Sequence, residues 1–332
     1  MNSRLNVSLF GTGRALPLES IQSSDLDQSW DTGNRIASTG VSRRFQCRKE
    51  SQVDLATLAC QRALQSAGLQ VGQVDMIISA ASVPYQPIPS MAPLIMRNLG
   101  MRDGSAAAFD VNSTCLSFLT GLDIAALKIA GGSAQRVLVV SSEVASRALP
   151  WEEEPETAAL FGDGAAAAVI GASRDDSEAQ IKAIRLRSYP SAYEACEIGA
   201  GGTRFDFDSD RTAFAEHAKF RMDGKALFRL TSQYFSGFID ALLQEAGWDR
   251  NDVDIVVPHQ ASPTALDHMI RQIGFSPQKI VRIVEDYGNQ IAASIPFAFD
   301  IAREEGRVPA GSKVLFLGTS AGVSFGGTAL VT

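Results

Sequence analysis

Val74-Asp75-Met76-Ile77-Ile78 recurs as Val253-Asp254-Ile255-Val256-Val257, and each copy follows a helix-like segment ending in Ala-Gly, at Ala67-Gly68 and Ala246-Gly247. The offset is constant, since 254 − 75 and 247 − 68 both give 179. Further along, Arg136-Val-Leu-Val-Val-Ser-Ser parallels Lys313-Val-Leu-Phe-Leu-Gly-Thr, and Gly164-Ala-Ala-Ala-Ala-Val-Ile parallels Gly327-Thr-Ala-Leu-Val. A long-period duplication of alternating strands and helices implies two similar α/β halves, 1–175 and 176–332, whose sheets are buried by helices.

Composition agrees. The 332 residues are 45% hydrophobic and 20% charged, enough to bury two cores and too evenly mixed for long disordered tails. No apolar run approaches membrane-spanning length, and the N-terminus passes into a strand, Leu5-Asn-Val-Ser-Leu-Phe10, without a signal peptide. A cytoplasmic protein with no membrane partner is expected. Cys47, Cys60, Cys115 and Cys196 show no Cys-x-x-Cys pairing and no metal-ligand spacing, so reduced thiols and no bound metal are expected. The net charge of −7 argues against nucleic acid as a partner.

Cys115 lies in Phe109-Asp-Val-Asn-Ser-Thr-Cys-Leu-Ser-Phe-Leu-Thr-Gly-Leu-Asp-Ile-Ala-Ala126, where an apolar stretch breaks at small polar residues and resumes with helical periodicity. This puts a thiol at the start of a helix, where unpaired N–H groups and the positive dipole end favour thiolate. Taken alone it reads more readily as a buried structural cysteine, as Cys47, Cys60 and Cys196 do. Partners elsewhere favour a nucleophile. His259, in Val253-Asp-Ile-Val-Val-Pro-His-Gln-Ala-Ser262, ends an apolar strand just before a helix opened by Ser262-Pro263. Strand ends in α/β sheets are where sites gather. Asn289, in Asp286-Tyr-Gly-Asn-Gln-Ile-Ala-Ala-Ser-Ile-Pro296, sits in a polar turn leading to an Ala-rich helix. Cys115 and Asn289 occupy comparable places in the two halves, so the site belongs where the halves meet.

Two motifs fail. Gly11-Thr-Gly13 follows a strand, but Leu16 stands where a dinucleotide fingerprint needs its third glycine, so no nicotinamide cofactor is expected. Gly318-Thr-Ser320-Ala-Gly322 fits a hydrolase nucleophile elbow, yet that fold needs a later histidine and the last one is His268.

Cys115 in its helix-opening context, Pro258-His259-Gln260-Ala261, Tyr287-Gly288-Asn289 with Ala292-Ala293-Ser294-Ile295-Pro296, and the closing glycine turn resemble the β-ketoacyl-acyl carrier protein synthase III family, in order and approximate spacing over nearly the whole chain. The resemblance implies a thiolase fold, layered α-β-α-β-α, with the nucleophilic Cys in the N-terminal half and the His and Asn in the C-terminal half. It implies acylation of Cys115 by a coenzyme A or acyl-carrier-protein thioester, then condensation with a malonyl thioester assisted by His259 and Asn289, with no cofactor. Splitting the reaction at a thioester divides one difficult step into two. Backbone N–H groups of Cys115 and of the turn at Gly322 are expected to hold the oxyanion. The family also implies a homodimer in which Pro84-Tyr-Gln-Pro-Ile-Pro-Ser-Met-Ala-Pro93 reaches the partner's acyl pocket, with Ile88 as gate, while Ser320 marks the substrate side of the closing turn. Two basic stretches, Arg35, Arg43, Arg44, Arg48 and Lys49, and Lys219, Arg221, Lys225 and Arg229, read either as solvated faces or as docking surfaces for an acidic carrier protein or coenzyme A phosphates.

Departures from the family pattern point away from the acetyl-CoA-primed enzyme. Asn34 and Ser38 precede Thr39-Gly40-Val41 where members carry Trp and Arg, Pro155 stands where a second Arg packs on adenine, and Glu152-Glu-Glu154 lies beside it. A longer or unusual acyl group, in fatty-acid or secondary metabolism, is expected. Non-decarboxylative joining of two acyl thioesters, and acyl transfer to an alcohol or amine, remain as alternatives.

Overall fold

A computed structural model describes residues 6–173 and 180–332. The first half contains β1 (Val7–Ala15), α1 (Gln52–Ser66), β2 (Met76–Ala80), α2 (Ala92–Asn98), β3 (Ala107–Val111), α3 (Ser117–Ala130), β4 (Arg136–Glu143) and β5 (Gly164–Ala172). The second contains β6 (Gln180–Ser188), α4 (Gly224–Ala246), β7 (Ile255–Pro258), α5 (Pro263–Ile273), α6 (Ser294–Glu304), β8 (Lys313–Ser320) and β9 (Ser324–Val331). The expected boundary at 175/176 lies outside the described residues.

The strands run β3-β2-β4-β5-β1 in the first half and β7-β8-β9-β6 in the second, with matching parallel and antiparallel neighbours. One residue pair, Ser8 with Gln180, joins the halves across β1 and β6. The counterpart of β3 in the second half shrinks to a single bridge between Val256 and Ile280.

The repeated Val-Asp has a physical role. The Asp75 carboxylate accepts the Arg136 N–H at 3.2 Å and that of Gln135 at 2.7 Å, while its own N–H donates to the Arg136 carbonyl. Asp254 repeats the Arg136 pair on β8, accepting the Lys313 N–H at 2.8 Å and donating to its carbonyl. Each aspartate thus ties the entry of one central strand to its parallel neighbour. Gly68 and Gly247 end the preceding helices with φ of +64° and +71°, left-handed values that glycine adopts without steric cost.

Strands covered on both faces read as continuous apolar runs. Along β4, Val137 and Val139 face the central helices while Leu138 and Val140 face α1; along β8, Val314 and Phe316 face the centre while Leu315 and Leu317 face α4. The central cluster combines Phe118, Leu119 and Leu122 of α3 with Ile295, Phe297 and Phe299 of α6. The resulting order is helix, sheet, paired helices, sheet, helix, the expected thiolase fold with two similar halves. Gly11 and Gly13 belong to this packing. A Cβ on Gly13 would fall 2.4 Å from the Ala63 nitrogen and one on Gly11 2.5 Å from that of Ala67, so α1 rests directly on β1.

Candidate active site

The turn from β3 into α3 carries Cys115. Asn112 Oδ1 accepts the Thr114 N–H at 2.9 Å, and the Ser117 hydroxyl accepts the Ser113 N–H while donating to the Thr114 carbonyl. These bonds hold Thr114 at φ +51° and set Cys115 two residues before the helix begins. Leu116 then inserts into the second half. A Cβ on Gly318 would lie 2.8 Å from Leu116 Cδ2 and 3.3 Å from His259 Cβ, so the bare strand at Gly318 lets the neighbour of the nucleophile close on the histidine. His259 follows β7 and donates its N–H to the Leu317 carbonyl at 2.7 Å.

Asn289 is docked by the first half. Its N–H donates to the Leu160 carbonyl at 2.7 Å, and its carbonyl accepts the Gly162 N–H at 3.2 Å. Gly162 is needed there because a Cβ would meet the Tyr287 carbonyl oxygen at 2.2 Å. The side-chain oxygen of Asn289 accepts the Ile291 N–H at 2.8 Å, which turns the amide nitrogen outward as a donor. Ile291 also packs with the apolar cluster that meets Cys115, together with Val83, Ala145, Leu149, Trp151 and Phe161, whose ring meets Phe220 edge-on at 5.2 Å. Ile291 therefore adjoins all three expected residues, a role the sequence did not reveal. Its signal is conformational: a β-branched residue at φ +50°.

The electrostatics differ from expectation. Burial pushes the Cys115 thiol up, reinforced by Cys196 and Glu143, while N–H groups of Cys115 and Ala321 oppose it. Because Cys115 precedes the helix and is desolvated, the helix terminus does not make it a standing thiolate. The N–H that reaches the sulfur is that of Ala321, one residue before the expected Gly322, whose φ of +111° shapes the turn. Burial lowers His259 to about 4, with the Ile291 carbonyl partly offsetting it, so the imidazole is neutral at physiological pH. Burial raises Glu143 to about 8 against opposing N–H groups of Ser82, Val83 and Ala292.

Other expected positions fall as follows. Ser320 is buried at the end of β8, and its hydroxyl donates to the Ala321 carbonyl at 3.1 Å. Ile88 is 86% exposed and stands outside its own chain's apolar cluster. The first basic stretch is largely consumed internally: Arg44 is wholly buried, donating to Ser23 Oγ and the Val41 carbonyl, while Arg35, Arg43 and Arg48 pair with Glu156, Asp286 and Glu19. In the second, Lys219 pairs with Glu153, and Lys225 and Arg229 are exposed with no ion pair among the described residues. No group of His, Cys, Asp and Glu among the described residues could hold a metal ion, and no helix among them is long and apolar enough to cross a membrane.

A cysteine on one half, met across the seam by a histidine and an asparagine from the other, places the molecule among the thiolase-fold enzymes, and comparison with known proteins narrows the class. Residues 109–190 match the family described as 3-Oxoacyl-[acyl-carrier-protein (ACP)] synthase III, and residues 243–332 match the C-terminal domain of the same name. The β-ketoacyl-[acyl-carrier-protein] synthase III of Neisseria meningitidis serogroup B is 33% identical over 96% of this chain and 97% of its own. Synthase III 3 of Streptomyces coelicolor is 34% identical over 97% and 96%. The solved structure of 3-oxoacyl-(acyl carrier protein) synthase III from Pseudomonas aeruginosa PAO1 superposes with a TM-score of 0.87 at 30% identity, covering 98% of each chain. The chain belongs to the 3-oxoacyl-[acyl-carrier-protein] synthase III family and is an acyltransferase of the condensing type.

Proposed function

We propose that Cys115 attacks an acyl thioester of coenzyme A or acyl carrier protein, expels its thiol and keeps the acyl group as a new thioester. A malonyl thioester then loses CO2, and the resulting enolate attacks the acyl carbonyl, releasing Cys115 and a β-ketoacyl product. Backbone N–H groups of Cys115 and Ala321 hold the oxyanion in both steps. His259 and Asn289 hold the enolate oxygen. The observation that carries this reading is the bond from the Ile291 N–H to Asn289 Oδ1, which commits the Asn289 amide nitrogen to donation beside a neutral histidine. Two neutral donors at physiological pH suit an enolate and leave no strong base to compete with decarboxylation.

The apolar cluster against Cys115 supports an acyl chain longer than acetyl, and the names of the relatives support fatty-acid synthesis as the setting. The protein works in the cytoplasm as a homodimer, requiring neither metal nor organic cofactor. The exposed edge of β3 and the 86% exposure of Ile88 support an assembly in which the partner's proline-rich strap covers the acyl site.

Intact-protein mass spectrometry with a panel of acyl-coenzyme A thioesters, chased with malonyl-acyl carrier protein, tests this. The expected result is an adduct on Cys115 that disappears with release of CO2. An adduct that persists through the chase would move the assignment to acyl transfer or to non-decarboxylative joining, separated by whether the product holds a new C–C bond.

A further inference from the structure

The peptide of Ser82 and Val83, at the root of the strap, is held on every polar atom by side chains. Glu143 at the end of β4, with 0% exposure, accepts the Ser82 N–H at 2.6 Å and the Val83 N–H at 3.1 Å. Gln52 Nε2 donates to the Val83 carbonyl at 2.7 Å and to that of Ser142 at 2.7 Å. Asn112 Nδ2 donates to the Ser82 carbonyl at 2.8 Å, while Asn112 Oδ1 receives the Thr114 N–H beside the nucleophile. The end of β4 also packs on the turn Ile291–Ala293 that follows Asn289. The buried carboxyl group of Glu143 and the amide of Asn112 therefore connect the strap root, the cysteine turn and the asparagine-bearing segment.

We infer that Glu143 and Asn112 are positioning residues that fix the root of the strap carrying Ile88 to the Cys115 turn of the same chain, so that nucleophile placement in one subunit and the acyl gate its strap presents to the partner are set by one hydrogen-bonded unit. A carboxyl group is suited to Glu143 because its two oxygens each meet one of two neighbouring N–H groups, one acceptor more than an amide in its place can offer. Asn112 is suited because a single amide accepts on the cysteine side and donates on the strap side. The inference rests on the proposed function, in which the strap limits the acyl chain.

The test uses full-length enzyme and two readouts: acylation rates with acetyl- to palmitoyl-coenzyme A by intact mass, and alkylation of Cys115 by iodoacetamide. N112D keeps the acceptor for Thr114 and loses the donor to Ser82; E143Q loses one of two acceptors. Each is expected to change the ratio of long- to short-chain acylation by about tenfold while alkylation stays within about twofold of the parent, the upper size of effect that loss of one hydrogen bond supports. N112A, which breaks both links, should slow alkylation as well, and E143D should restore part of the ratio. The double variant N112D/E143Q should do no more than the stronger single one, because both act through one peptide. An unchanged ratio in N112D and E143Q, or multiplicative effects in the double variant, would overturn the inference. I88G separates the two levels: a changed ratio there with none in N112D and E143Q removes the clamp and keeps the strap reading, whereas no change in I88G removes both. If E143Q does not fold, N112D at an exposed position carries the test.

Discussion

Ile291 adopts φ +50°, a backbone that costs a β-branched residue about 1–3 kcal/mol. In return its N–H orients Asn289, and its carbonyl lies against His259. Because His259 is held neutral down to about pH 4, the acid limb of the condensation rate should fall near that pH rather than near 6.5, as a pH–rate profile will register. The same group makes folding pH-dependent. Its folded pKa lies below its unfolded value, so the unfolded chain takes up the proton first, and stability declines as the pH falls from 6.5 towards 4. Cys115→Ala should abolish the acyl adduct in intact mass. His259→Ala and Asn289→Ala should keep the adduct and lower condensation by about 10² to 10³, the scale of one lost oxyanion donor. Cys115, His259 and Asn289 could be picked from the sequence because Cys115 and His259 each close an apolar run and Asn289 sits in a polar turn, all three just before a helix, in the order of the family they resemble. Ile291, Ala321 and Glu143 could not, since two act through the backbone and the third looks like any polar residue at a strand end.

Among the elements, uniform apolar runs identified the central strands because both faces are covered. The same uniformity concealed which residues face α1, α4 or the paired central helices, since periodicity carries no signal when both faces are apolar. Short ribbons such as Glu19–Gln22 with Arg43–Gln46 lack the length for any pattern. Arg44 shows the limit for charge runs: a cluster of cations reads as surface until tertiary contacts enclose one of them. Close approach of α1 to β1 gives a sharp prediction. Gly13→Ala places a methyl group against the backbone of Ala63, which cannot rotate away, and should destabilise the protein by about 1–3 kcal/mol in denaturant titration. Gly318→Ala meets the movable end of Leu116, and should cost less stability while disturbing the placement of Cys115.

At the scale of the whole molecule, the paired layer of α3 and α6 draws residues from both halves into one core, although among the described residues only Ser8 and Gln180 pair between β1 and β6. The halves should therefore melt in a single calorimetric transition. For the proposed homodimer, light scattering should give twice the chain mass of 35.4 kDa, and a single chain mass would remove the strap from the acyl site. The duplication was legible because its most regular parts, Val-Asp and the helix-ending Ala-Gly, serve the same mechanical task twice. The β3 counterpart was not, because by Ile280 it has dwindled to one bridge. Asp75 and Asp254 now acquire another meaning. Two corresponding struts stand in one chain, so D75N and D254N form a pair in which the bond to the neighbouring strand is shared and Asp75 holds one further N–H, that of Gln135. Any difference in the loss each produces is a direct reading of how far two descendants of one ancestral unit have drifted apart in their reliance on the same bond.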